Sequence, residues 1–305
     1  MPGGLCLFQK DGTTIYASYR AKRLVKVKSN GLKLWETSVG VHHEMSLTKD
    51  NRILLLSESI RDFRGDKNAR FDAFKIYNQK GEELASWDTF EHFEEILRIL
   101  KDAGKEFPPR IDVKSNPFGA FVEYTHANSF KEIPENDLYP QVSYLKPGNY
   151  ILAMNCLGLF LFLDHELKTI VGVHHYQNFL SCNTHDAQVM KNGHILHLLN
   201  YDTRVGDGMT LVEIDPVSGN RVWEYKNTLS DKVNSNYQGS VQLLPNGNML
   251  YIDNGQIDNK TPVEISRAGL VAHALERSTL YELIGFKPYR ARISEDFQSH
   301  IKNSW

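Results

Sequence analysis

Three histidines stand at the start of apolar, strand-like stretches and are each followed by a polar turn and a second apolar run at similar spacing. They are His43 in HHEMSLTKDNRILLLSE, His126 in HANSF with its continuation YLKPGNYILAMN, and His185 in THDAQVMKNGHILHLLN. Near pH 7 a neutral imidazole is a nitrogen nucleophile or base, and its cation donates protons and hydrogen bonds to anions. Brought together, three such groups could run a group transfer. They could also hold one divalent metal with an open position, since three imidazoles are adequate for Zn²⁺ or Fe²⁺. No H-E-x-x-H motif or carboxylate triad strengthens the metal reading, and no cofactor is expected otherwise. A fourth stretch, YQGSVQLLPNGNMLYIDNG from Tyr237, keeps the frame but has Gly239 where the histidine would fall.

For distant histidines to meet, the chain must repeat. Two elements recur. One is a hairpin with a turn rich in Asp, Asn, Gly or Pro, seen in QKDGTTIYASY, LTKDNRILLLSE, YLKPGNYILAMN, VMKNGHILHLLN and LLPNGNMLYIDN; Asn and Gly accept the positive φ that such turns need. The other is a second hairpin whose last strand carries Trp35, Trp87 or Trp223, with weaker copies from Leu161 and Val263. Short alternating strands at this density predict an all-β fold, and a repeat of four strands is that of a propeller blade. Five repeats are visible in what is expected to be a single β-propeller domain over 1–305. In such a toroid, equivalent positions of successive repeats meet on the central axis. The tryptophans are expected to pack blade against blade.

One segment breaks the pattern. In DTFEHFEEILRILKDAGKEF, residues Phe90, Phe93, Leu97 and Leu100 recur at helical spacing, which predicts an amphipathic helix inserted at about 88–104, capped by Asp88 or Thr89 and ended by Gly104. A loop at about 131–143, KEIPENDLYPQVS, is a candidate lid. His42, His174 and His175 are expected in loops. His92, His165, His194, His197, His273 and His300 read as surface or helix residues.

Composition narrows the partners. With 35 basic and 37 acidic residues in 305, no overall field draws the surface to nucleic acid or anionic membrane. No stretch approaches the ~20 apolar residues of a membrane helix. The opening MPGGLCLFQKDG has no basic region leading into an apolar run, so a soluble chain without a signal segment is expected, with its compartment open. Cys6, Cys156 and Cys182 form no C-x-x-C pair and are expected as ordinary thiols. No P-loop, dinucleotide fingerprint, nucleophile elbow or zinc-finger spacing is present.

Taken in order, Trp87 with WDTFEHF, His126-Ala-Asn128-Ser, the THDAQ strand, and LPNGNMLYIDNG followed by Ser266-Arg267-Ala268 resemble the arylsulfotransferase-like propellers over roughly Leu32 to Ala268. The resemblance implies six blades and an axial site at which a histidine takes the sulfuryl group from a phenolic sulfate and passes it to a phenol, with no nucleotide donor. It also implies that relatives are often exported or membrane-tethered. Carried over, His185 would be the nucleophile. His126 and Asn128 would bind sulfate oxygens or protonate the leaving phenolate, with His43 a third donor. Asn155 stands where the family has an arginine that holds the sulfate, so Arg267 or Arg204 would have to supply the cation. Tyr124 and Tyr237, beside the axial positions, are expected as aromatic walls for a phenol. Gly239 and Asn155 keep open a diverged propeller that binds a small molecule or a protein without catalysis.

Overall fold

The structure is a computed structural model, and it describes residues 4–19, 21–104, 111–113, 121–176, 184–200, 209–226, 239–244, 246–253 and 261–274. Tyr237, Arg204 and the segment from Thr279 to Ser294, weighed above as part of a sixth blade, lie outside them. The chain divides into two compact units, 1–182 and 183–305.

The first unit contains three blades. Strands β1 (Gly4–Phe8), β2 (Thr14–Ser18), β3 (Arg23–Val27) and β4 (Lys33–Ser38) form the first, and β5 (Val41–Leu47), β6 (Ile53–Phe63), β7 (Asp66–Tyr77) and β8 (Glu83–Asp88) the second. Helix α1 (Phe93–Asp102) and strands β9 (Ile111–Val113) and β10 (Phe121–Glu123) follow. The third blade is β11 (Ala127–Glu132), β12 (Tyr150–Met154), β13 (Leu159–Leu163) and β14 (Ile170–His175).

The second unit contains two blades. They are β15 (Thr184–Val189), β16 (Ile195–Leu199), β17 (Thr210–Ile214) and β18 (Arg221–Lys226), then β19 (Val241–Leu243), β20 (Met249–Asp253), β21 (Thr261–Ile265) and β22 (Val271–Ala274). Within every blade successive strands pair antiparallel, as the turn residues predict. The architecture is an all-β propeller with five four-stranded blades among the described residues.

The core lies between blade faces. Leu54, Phe74 and Trp87 of the second blade pack against Phe130, Leu152 and Leu161 of the third, and Leu198, Leu211 and Tyr225 pack against Tyr251 and Val263 in the second unit. Blades are also latched at their outer turns. Trp35 Nε1–H donates to the Gln79 carbonyl at 2.8 Å, and Trp223 Nε1–H donates to the Arg267 carbonyl at 2.9 Å. Gly81 makes the first latch possible: its φ is +82°, and a Cβ there would lie 2.8 Å from the Trp35 ring.

The second blade departs from the repeat. Its β6–β7 hairpin is too long for β8, which covers only Ala73–Tyr77 of β7. Beyond that point β10 joins β7 in parallel, placing Val122 beside Ala69 and Glu123 beside Arg70. Helix α1 buries Phe93, Ile96 and Leu100. It packs partly on an aromatic cluster of Phe63, Phe71, Phe90 and Tyr124. The expected side-chain cap is not used. The helix starts after His92 with no side-chain cap, Asp88 Oδ1 instead accepts from the Phe90 N–H at 2.9 Å, and Thr89 Oγ1 donates to the Asp72 carbonyl at 3.0 Å.

The 131–143 loop leaves from Glu132, at the far end of β11 from His126, and the six residues of that strand span about 20 Å. One further expectation is corrected. Cys156 is disulfide-bonded, because distance in the fold decides pairing and sequence spacing does not, whereas Cys6 is a free, exposed thiol.

Candidate functional site

The site in the first unit is assembled where the overlong hairpin, β10 and the first strands of two blades converge. Arg70 and Asp72 are two apart on β7 and so share a face. Their side chains are 8% and 1% exposed. Arg70 Nη1 reaches Glu123 Oε1 at 3.0 Å, and Glu123 Oε2 lies 2.7 Å from His126 Nδ1. Behind Arg70 stands Glu58, with Oε2 at 3.8 Å from Arg70 Nε and bonded by the Tyr19 hydroxyl at 2.9 Å. Buried charges of this kind persist only when paired; here they form a relay from Tyr19 through Glu58, Arg70 and Glu123 to His126.

On the other side is a pair of imidazoles. His42 Nδ1 and His43 Nδ1 are 2.7 Å apart, His42 Nε2 is 2.9 Å from the Ser57 carbonyl oxygen, and Asp72 Oδ1 is 3.4 Å from the same nitrogen. The rings of His43 and His126 meet edge to face with centroids 5.1 Å apart. Both side chains come from irregular strand openings. The β5–β6 register slips between Val41 and Met45, with His43 at φ +55°, and the β11–β12 register slips between Ala127 and Ser129. Such bulges re-aim side chains next to functional sites. His42 is thus a buried strand residue and not a loop residue, and His174 and His175 lie on β14.

The environment pulls these groups apart electrostatically. Burial, reinforced by the Arg70 guanidinium and by His126, holds His42 well below the ordinary histidine range. Burial also acts against charge on His126, but Glu123 outweighs it and raises that group. Glu123 itself is lowered: burial opposes this, and the charge and hydrogen bond of His126 prevail. Asp72 is pushed up to about 6 by burial, against the opposing charge of Arg70. Its Oδ2 accepts from the Ala127 N–H at 2.9 Å, tying β7 to the first strand of the next blade.

The remaining expected residues divide. Asn128 is buried at the β11 bulge, and Asn155 is buried just after β12, its N–H donating to the His126 carbonyl at 2.9 Å. Tyr124 stacks on Phe71 and donates to Asp66 Oδ2 at 2.7 Å, so its ring is part of the aromatic cluster. In the second unit His185 is buried on β15, paired across to Leu198 at a register slip. Asp186, beside it, has φ +55° and accepts from the Val241 N–H at 2.7 Å, joining β15 to β19. Arg267 lies in the outer turn between β21 and β22, ion-paired with Glu213 and over the Trp223 ring at 4.9 Å. Gly239 has φ +148°, a conformation that side-chain-bearing residues rarely adopt. His197 is buried on β16 and not a surface residue. Among the described residues no group of three or more His, Cys, Asp or Glu side chains is arranged to hold a metal ion, and no helix is long and apolar enough to cross a membrane.

Sequence reasoning found His43 and His126 but missed His42, Glu58, Arg70, Asp72 and Glu123. One signal was present. In NARFDAF the apolar Ala69, Phe71 and Ala73 alternate with Arg70 and Asp72, which on a strand longer than its neighbours presents two charges on a single face.

Fold and site together define a β-propeller with buried histidine chemistry. The chain belongs to the arylsulfotransferase (ASST) family, whose family model matches residues 3–261. Membership gives it a sulfotransferase-like function in general terms and implies phenolic substrates. No curated protein matches the chain. Among solved structures, a crystal structure of a protein of unknown function from Bacteroides caccae is 14% identical with a TM-score of 0.52, covering 91% of this chain and 83% of that one. Virginiamycin B lyase from Staphylococcus aureus is 9% identical with a TM-score of 0.47, covering 89% and 68%. The Dos1 propeller is 8% identical with a TM-score of 0.46, covering 87% and 56%. At these identities the likeness concerns the fold alone.

Proposed function

We propose that the protein transfers a sulfuryl group from a phenolic sulfate ester to a phenol through a histidine intermediate, with no nucleotide sulfate donor. The observation that carries this reading is the Arg70–Glu123–His126 relay, found in a member of this family. Glu123 favours the cationic form of the His126 imidazole, which can donate to a sulfate oxygen or to the leaving phenolate, where negative charge develops. A covalent intermediate divides one transfer into two easier steps. His185 is the nucleophile that the family resemblance nominates. Arg70 is a buried cation of the first unit, and it acts through Glu123.

The test is incubation with a chromogenic aryl sulfate and a phenol acceptor, with intact mass measured before the acceptor is added. The expected result is a gain of one sulfuryl group, absent in His185→Ala and discharged by phenol. An adduct retained in His185→Ala would sink the nucleophile assignment. Gly239 and Asn155, each in place of a group the family uses, favour a second reading as a binding propeller. Binding of the aryl sulfate without adduct or phenol release would support it.

A further inference from the structure

We infer that Asp72 is a positioning residue for His126: its carboxylate holds the link between two blades on which that imidazole is carried. Its effect on rate rests on the transfer reading above, whereas its effect on the ring does not.

His126 belongs to no strand. It lies on the link 124–126, between β10 in the sheet of the second blade and β11 at the opening of the third. A side chain on such a link is placed only as well as the link itself. Strand β7 supplies the hold. The Tyr124 N–H donates to the Arg70 carbonyl at 3.1 Å. The Asp72 N–H is shared between Thr89 Oγ1 at 2.9 Å and Thr125 Oγ1 at 3.1 Å. Past the imidazole, Asp72 Oδ2 accepts from the Ala127 N–H at 2.9 Å. Asp72 thus grips the link on both sides of His126, through Thr125 and through Ala127.

The grip is firm because Asp72 is itself tied. Its carbonyl accepts from the Thr89 N–H at 2.9 Å and from the Thr89 hydroxyl at 3.0 Å, and Asp72, Thr89 and Thr125 are all 1% exposed or less. With the link fixed, the ring stands where its Nδ1–H donates to Glu123 Oε2 at 2.7 Å. The hydrogen bond and the charge of Asp72 are separable. The bond places the ring, and the charge favours the His126 cation. The charged and titratable groups facing His126 within this unit are His42 and His43 on β5, Arg70 and Asp72 on β7 and Glu123 on β10, with Glu58 on β6 behind Arg70.

Variants separate the bond from the charge. Asp72→Asn keeps an oxygen for the Ala127 N–H and loses the charge, whereas Asp72→Ala loses both. Asp72→Ser, one bond shorter, is expected to behave as Asp72→Ala does and gives the reading should the alanine variant not fold. In ¹H–¹⁵N spectra of histidine-labelled full-length protein, the His126 Nδ1–H signal is assigned by its loss in His126→Asn. It is expected to persist in Asp72→Asn and to shift or disappear into exchange with water in Asp72→Ala. A signal that Asp72→Ala leaves in place overturns the inference. Turnover of a chromogenic aryl sulfate with a phenol acceptor, compared at equal folded fraction, is the second readout. Asp72→Asn is expected to keep the plateau kcat of the pH profile and to move its basic limb to lower pH, since the lost charge supported the cation. Asp72→Ala is expected to lower the plateau ~100-fold with KM little changed, the penalty of a misplaced group. Plateaus of equal height in the two variants overturn the positioning role. A wild-type protein that releases no phenol overturns the transfer reading, and the spectra alone then decide whether Asp72 places the ring.

Discussion

Glu123 shows how one side chain sets the state of another. Without its carboxylate, burial would leave His126 neutral at lower pH, so the pH at which the cation is lost must fall in Glu123→Gln. Loss of the cation on raising the pH should produce the basic limb of the transfer rate. That limb is expected at lower pH in the variant, and a profile of kcat/KM against pH measures it; an unmoved limb would mean that another group sets it. Asp72 carries the opposite sign. Its folded-state value, pushed up to about 6, exceeds that of an unfolded carboxyl, so the folded protein bears the burden of a buried carboxylate above pH 6 and sheds it between pH 6 and 4. A rise of that size corresponds to roughly 3 kcal/mol. Asp72→Asn keeps an acceptor for the Ala127 N–H, and should gain stability relative to wild type at pH 7, with the gain vanishing near pH 4. Urea unfolding at both pH values is the check.

At the level of elements, turn chemistry made the blades legible. The Asn, Asp and Gly turns mark the hairpins, and the tryptophans mark the outer strands. The overlong β6–β7 hairpin and the parallel β10 were not legible, because charged residues in a polar run read as a solvated strand until another strand covers them. That is why Glu58, Arg70, Asp72 and Glu123 were missed while the histidines they serve were found. The latch between blades is testable in the same terms. Gly81→Ala places a Cβ against the Trp35 ring in a left-handed conformation, and should cost about 1–3 kcal/mol. Combining it with Trp35→Leu should recover the steric part, and strict additivity of the two changes would show that the close approach is not what destabilises.

For the molecule as a whole, the disulfide at Cys156 sets a chemical condition on stability. Bridges of this kind persist in oxidising surroundings. Reductant is expected to lower the unfolding free energy by about 2–5 kcal/mol, and Cys156→Ser should be equally weak with or without it. Equal melting temperatures for reduced and oxidised wild type would show that the bridge contributes nothing.

Gly239 sets a limit on what substitution can add to the fifth blade. With φ at +148°, the strand opening there follows a main-chain path that side-chain-bearing residues rarely take. An imidazole introduced by Gly239→His would need an opening of a different shape, so the chemistry available at that blade is bounded by its backbone and not by its codon.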